Sequence, residues 1–204
     1  MATKLTYFDF PGGRGEDCRL ALHLAGVEFE DDRVPPNKTW LERKAGTPFG
    51  ALPVLTVEGK GAVAQSNAIL PFIGRQHGMH PTDAFEAARH EALLAAVEDL
   101  RTALSAASPS SDDPTRQEKR EAFASGPMQQ WGRNFEAQIE GPFVAGESLS
   151  VADLKIYVLM KWFIGGGVDH VPTDVFKDFT KLSALHDAVK AHPKVAEWNA
   201  RFAK

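Results

Sequence analysis

A chain of 204 residues with 43% hydrophobic and 25% charged residues has the composition of a soluble globular protein, with a core sufficient for one or two domains. Its net charge of -4 and pI near 6.0 argue against a nucleic-acid partner, which calls for a basic face. No run approaches the roughly 18 apolar residues of a membrane span, so no membrane partner is expected. The Met-Ala-Thr-Lys start lacks a long apolar stretch, so no secretory leader is expected. The lone cysteine, Cys18, excludes an internal disulfide or a Cys-x-x-Cys pair, so a reducing, cytoplasmic setting is expected.

The first 77 residues read as mixed α/β in the order βαβ, then ββα. Lys4 to Phe10 is rich in β-branched and aromatic residues and predicts a strand, broken by Pro11-Gly12-Gly13. From Glu16 to Ala25, apolar residues at Leu20, Ala21, Leu24 and Ala25 have helical spacing. A second strand is expected over Phe29 to Val34, and a short helix or turn over Trp40 to Ala45. Pro53 to Val57 and Gly61 to Ala64 form a hairpin around Glu58-Gly59-Lys60-Gly61. Ser66 is expected to cap a helix over Asn67 to His77. Pro71 marks either the end of that helix's first turn or a kink, and spacing alone does not choose.

From Thr82 on, the pattern is helical throughout. Residues 78–83 read as a linker and 84–204 as an all-α domain. A long apolar stripe runs from Ala84 to Leu104, and a polar break follows at Ser108 to Pro114. Glu118 to Ile139 is helical but interrupted at Gly126-Pro127. Ser150-Val151-Ala152-Asp153 resembles a capping box with Asp in place of Glu. The helix that follows, Val151 to Phe163, is apolar nearly all round, which places it at a domain centre. Gly165-Gly166-Gly167 ends it, and His186 to Phe202 is expected to supply the final short helices around Pro193.

The chemistry-bearing residues lie mostly in the first domain. A first strand carrying Tyr7, a proline at a strand edge (Pro53) and two polar residues opening a helix (Gln65, Ser66) form an arrangement suited to holding a peptide. The free amides and positive end of a helix favour a carboxylate there. Trp40 and Lys44 lie four apart and share a helical face; they either address a second carboxylate or pack against the sheet. Taken alone, Tyr7 reads as a packed strand aromatic, and the downstream set shifts it toward chemistry. Cys18 reads as a buried helix cysteine, and Phe135, Ile139 and Phe143 as core. His77 and His80 lack the partners of a metal site, so no metal is expected.

These residues resemble the cytosolic glutathione transferases, most closely the sigma class, which includes the haematopoietic prostaglandin D synthases. The resemblance spans the whole chain. It rests on Leu5-Thr6-Tyr7-Phe8, Arg14-Gly15-Glu16 with Arg19-Leu20, and Trp40. It continues through Thr47-Pro48-Phe49-Gly50-Ala51-Leu52-Pro53, Gln65-Ser66-Asn67-Ala68-Ile69 and Ser150-Val151-Ala152-Asp153. It implies a thioredoxin-like first domain, an all-helical second domain, a homodimer, and glutathione as co-substrate with no further cofactor. It also implies that Tyr7 and Arg14 are catalytic. Tyr7, Arg14, Trp40, Lys44, Leu52, Pro53, Gln65 and Ser66 would hold glutathione, with Asp99 reaching it from the partner subunit, and the Leu52–Pro53 bond would be cis. A hydrophobic electrophile would sit near Phe8, Phe10, Gly13, Leu104 and Phe202, and Phe49 would anchor the dimer. Two departures stand out: one extra residue in Phe10 to Gly13, and Ala51 where many sigma-class relatives carry lysine.

The expected chemistry follows from thiol acidity. A thiol near pKa 8.5 is only slightly ionised at neutral pH, and the thiolate is the nucleophile. Lowering that pKa by about two units takes roughly 2.7 kcal/mol, which a phenol O–H donating to the sulfur anion can help supply. The primary expectation is therefore detoxifying conjugation of glutathione to hydrophobic electrophiles. One alternative is a glutathione-dependent prostaglandin-type isomerase; the other is a non-catalytic ligand-binding or structural protein with the same fold.

Overall fold

The computed structural model of the chain describes residues 2–201. Four strands and nine helices follow in order among them: β1 (Thr3–Phe8), α1 (Gly13–Leu24), β2 (Glu30–Val34), α2 (Lys38–Lys44), β3 (Val54–Val57), β4 (Gly61–Ala64), α3 (Ser66–Gln76), α4 (Ala84–Ala106), α5 (Arg116–Ser125), α6 (Pro127–Glu136), α7 (Val151–Ile164), α8 (Thr180–Ala191) and α9 (Pro193–Ala200). The chain divides into two compact units, residues 1–87 with 191–204, and residues 88–190.

In the first unit the sheet order is β2-β1-β3-β4. β1 pairs with β2 in parallel, and β3 lies antiparallel to both β1 and β4. The parallel pair requires a crossover, and α1 supplies it. The buried face of α1 includes Cys18, Leu20, Ala21 and Leu22, and the helix packs on β1, α3 and α9. α9 follows the helical region in sequence yet belongs to this unit, where it buries Val195 and Trp198. The thioredoxin-like order βαβ-ββα expected for the first domain is present.

Several element ends differ from the sequence expectation. α2 begins at Lys38 because Asn37 caps it, accepting from the Thr39 N–H at 2.9 Å. Ser66 is the first residue of α3 and not its cap. Gln65 occupies the capping position with φ 73° and turns the chain from β4 into α3 in a single residue. Pro71 sits inside α3, buried, and the helix continues past it to Gln76. The break at Gly126-Pro127 separates α5 from α6, with Pro127 as the first residue of α6, where its missing N–H costs nothing. α8 starts at Thr180, six residues before the expected His186.

The second unit is helical and centred on α7, whose residues 151–160 are all buried. Its capping box is present. Asp153, fully buried, accepts from the Ser150 N–H at 2.8 Å, the Ser150 hydroxyl at 2.6 Å and the Val144 N–H at 2.7 Å. Lys155 is also fully buried, and its ammonium meets Glu98 Oε1 at 2.6 Å, where Arg101 also donates at 2.8 Å. No helix among the described residues is long and apolar enough to cross a membrane.

Candidate active site

Strand register brings the distant parts of the site to one end of the sheet. Thr6 pairs with Val54, and Val54 with Ala64. Tyr7, Pro53 and Gln65 are the next residues along the chain from Thr6, Val54 and Ala64 at this end. Tyr7 pairs with Arg33 on its other side. α1 opens five residues after β1 ends, and α3 opens two residues after β4 ends. Two helix N-termini, whose first N–H groups have no partner within the helix, therefore follow this same end of the sheet.

Tyr7 is 5% exposed, and its ring rests on the first turn of α1. A Cβ on Gly15 would lie 2.0 Å from the Tyr7 ring, so only glycine admits the phenol there. Gly13 has φ +65°, and a Cβ on it would lie 2.8 Å from the Tyr7 hydroxyl oxygen. The hydroxyl is thus held against the backbone that opens α1. Rings continue to either side: Phe8 and Phe10 each stand 5.6 Å from Tyr7, and Phe8 meets Trp40 edge-on at 5.4 Å. Phe10 is 42% exposed and Phe8 half-buried, so an apolar surface flanks the phenol.

Arg14 is the second residue of α1 and exposed. Trp40 is half-buried on α2, and Lys44 ends that helix, exposed, its stem 3.4 Å from where a Cβ on Gly50 would lie. α2 is tied to the sheet by Arg43, whose Nη1 donates to Asp32 Oδ1 at 3.1 Å, while Thr6 Oγ1 donates to Asp32 Oδ2 at 2.9 Å. The Arg43 guanidinium holds the Asp32 carboxyl below its usual pKa, with Thr6 adding to the effect against desolvation. The Leu52–Pro53 bond is cis. Leu52 is half-buried and Pro53 buried beside β3. Gln65 is exposed, and Ser66 is 3% exposed at the start of α3.

Tyr7, Arg14, Trp40, Lys44, Leu52, Pro53, Gln65, Ser66, Phe8, Phe10 and Gly13 all belong to the first unit. Asp99 lies exposed on α4 of the second unit, where Leu104 is 4% exposed. Phe202 lies outside the described residues. A groove of about 580 Å³ between α5, α6 and residues 170–178 contains none of the expected site residues. No group of three or more His, Cys, Asp or Glu among the described residues is placed to hold a metal. Cys18 is fully buried, as its helical setting suggests.

Sequence reasoning gave no role to Arg19, Asp32 or Arg43. The signal for Arg19 was available, since an arginine between Cys18 and Leu20 stands in an otherwise apolar helical run. It is completely buried, a rare state for an arginine and one that requires partners. Asp32 and Arg43 are eleven residues apart in sequence, and only the folded sheet brings them together.

Comparison with known proteins agrees with this architecture. Residues 3–75 match the glutathione S-transferase N-terminal domain, and residues 98–201 match the glutathione S-transferase C-terminal domain. A glutathione S-transferase 1 from Ascaris suum is 43% identical over 101 residues, which is 50% of this chain and 48% of that protein. A probable glutathione S-transferase 5 from Caenorhabditis elegans is 30% identical over 206 residues, covering 97% of this chain and 95% of that one. The solved structure of prostaglandin synthase D from Nilaparvata lugens superposes with a TM-score of 0.87 at 28% identity, covering 100% of both chains. A two-unit protein with a thioredoxin-like sheet and a helical partner defines the class, and the chain belongs to the glutathione S-transferase family.

Proposed function

We propose that this chain is a glutathione transferase that ionises the thiol of bound glutathione through Tyr7 and adds the sulfur to a hydrophobic electrophile. The observation that carries the reading is the placement of the Tyr7 hydroxyl. It stands at the opening of α1, beside the rings of Phe8 and Phe10, and Tyr7, Pro53 and Gln65 each adjoin a member of the paired row Thr6, Val54 and Ala64. Glutathione lies extended beside Leu52-Pro53, in the manner of a peptide added to a sheet edge. Its γ-glutamyl carboxylate meets the α3 opening at Gln65-Ser66, and its glycine carboxylate meets Trp40 and Lys44. Tyr7 stays a phenol and donates to the sulfur, whose proton leaves to solvent. The cation of Arg14, exposed on α1, favours the anion further. With an aryl halide, a carbon–sulfur bond forms and the halide departs.

The electrophile rests on Phe8, Phe10 and Gly13. The chain acts in the cytoplasm as a homodimer, and Asp99 of each subunit reaches the glutathione held by the other. No cofactor beyond glutathione is required, because thiolate stabilisation and positioning supply the catalysis.

The likeness to a prostaglandin synthase D gives a second reading, isomerisation of an endoperoxide by the same thiolate. Isothermal titration with glutathione, followed by turnover of a dinitrochlorobenzene and an endoperoxide, tests both. Conjugation that falls by about 10–1000-fold in Tyr7→Phe, the loss expected if the hydroxyl supplies roughly 1.4–4 kcal/mol, supports the first reading. Turnover of the endoperoxide alone supports the second. Glutathione binding without either turnover leaves a non-catalytic ligand-binding protein, and conjugation unchanged in Tyr7→Phe removes the phenol from the mechanism.

A further inference from the structure

We infer that Arg19 is a positioning residue for Tyr7, fixing the turn between β1 and α1 so that the hydroxyl stays aimed at the sulfur; this rests on the role given to Tyr7 above. Arg19 lies on α1 with 0% exposure. Its Nη2 donates to the Phe8 carbonyl at 3.1 Å, and its Nη1 to the Phe10 carbonyl at 3.1 Å. Those two carbonyls bracket the start of the turn, directly after Tyr7. Its Nε donates to Asp31 Oδ1 on β2 at 2.9 Å, and Nη1 lies 3.5 Å from Glu16 Oε2. The guanidinium carbon stands 5.6 Å from the centre of the Tyr7 ring. Glu16 is oriented in turn by α9, accepting the Trp198 indole N–H on Oε1 at 2.7 Å. One continuous buried network therefore runs from Trp198 through Glu16 and Arg19 to the backbone that carries Tyr7.

Two physical accounts of this arrangement compete. A cation over the phenol ring would strengthen the hydroxyl as a donor. Against that, Asp31 and Glu16 both approach the same guanidinium, so its charge is already balanced by two carboxylates. The geometric account is stronger. A planar fork can serve the Phe8 carbonyl, the Phe10 carbonyl and Asp31 together, in directions that an ammonium on a flexible stem does not reproduce. A displacement of the hydroxyl by about 1 Å is enough to cost up to ~100-fold in rate.

The test makes Arg19→Lys and Trp198→Phe, each alone and combined with Tyr7→Phe. Folding is checked by circular dichroism, and kcat and KM are measured with glutathione and a dinitrochlorobenzene. Arg19→Lys keeps the charge and loses the fork. It is expected to lower kcat about tenfold while KM for glutathione stays within about twofold, and to change kcat less than about twofold once Tyr7 is already Phe. Trp198→Phe keeps a ring and removes the N–H. It is expected to lower kcat about threefold, again with the effect absent in the Tyr7→Phe background, and it carries the test if Arg19→Lys does not fold. Wild-type kcat in Arg19→Lys, or losses that simply multiply with that of Tyr7→Phe, overturns the inference while the role of Tyr7 stands. A Tyr7→Phe enzyme with undiminished kcat overturns both.

Discussion

At the scale of single residues, the site depends on what is missing as much as on what is present. Tyr7 can lie against α1 only because residue 15 has no side chain, with a Cβ there falling 2.0 Å from the ring. That distance cannot be absorbed by a small shift, since strand β1 and helix α1 are both buried on their facing sides. Gly15→Ala is therefore expected to lower kcat for conjugation by at least about tenfold and to destabilise the fold by about 1–3 kcal/mol, read by denaturant titration. A variant with wild-type rate and midpoint would show that the phenol is not held where the structure places it. Tyr7 and Gly15 were both legible in the sequence as parts of a motif, but their contact was not. A motif gives spacing along the chain, whereas this contact is a distance across the turn between two elements.

At the scale of elements, the sheet end was readable because hairpin chemistry and proline rules constrain it strongly. Glu58-Gly59-Lys60-Gly61 between two short apolar runs implies an antiparallel pair, and that pair sets Val54 opposite Ala64, next in the chain to Pro53 and Gln65. The start of α3 was misplaced by one residue because a serine before an apolar run is the usual cap, whereas Gln65 adopts a positive φ and makes the turn itself. The anchoring of α2 was not legible, since it depends on Arg43 finding Asp32 across two elements. Asp32 has its pKa lowered by Arg43, so the pair's stabilisation is complete at neutral pH and is lost as pH falls through the depressed value, below 3.8. The Arg43 side chain is 40% exposed, which limits the pair to less than about 1 kcal/mol after screening. Arg43→Met is expected to raise KM for glutathione about two- to fivefold at pH 7 with kcat little changed, because α2 carries Trp40 and Lys44 but not the phenol. The rise should shrink in high salt. A loss confined to kcat would contradict this division of labour.

At the scale of the whole molecule, the chain's two compact units follow from two kinds of patterning. The α/β region shows short alternating runs with turn residues between them, and the helical region shows long 3.6-residue stripes centred on α7. The return of α9 to the first unit was not visible in that pattern, because its helical signal is the same as that of its neighbours. Assembly is the property that least follows from one chain. Phe49 is 69% exposed in the loop before Pro53, a large ring in water that the proposed homodimer would bury. Phe49→Ser is expected to shift the protein from dimer to monomer in light scattering at micromolar concentration, with its circular dichroism unchanged. A variant as dimeric as the parent would remove Phe49 from the interface.

The central claim is that the Tyr7 hydroxyl makes the sulfur of bound glutathione anionic near neutral pH, and its most direct measurement is a pH titration of thiolate absorbance in the glutathione-saturated protein. The account predicts an ionisation about two units below the free thiol's value near 8.5, returning most of the way to it in Tyr7→Phe. An ionisation that stays at the free-thiol value in the parent protein, or one that is equally low in Tyr7→Phe, would contradict it.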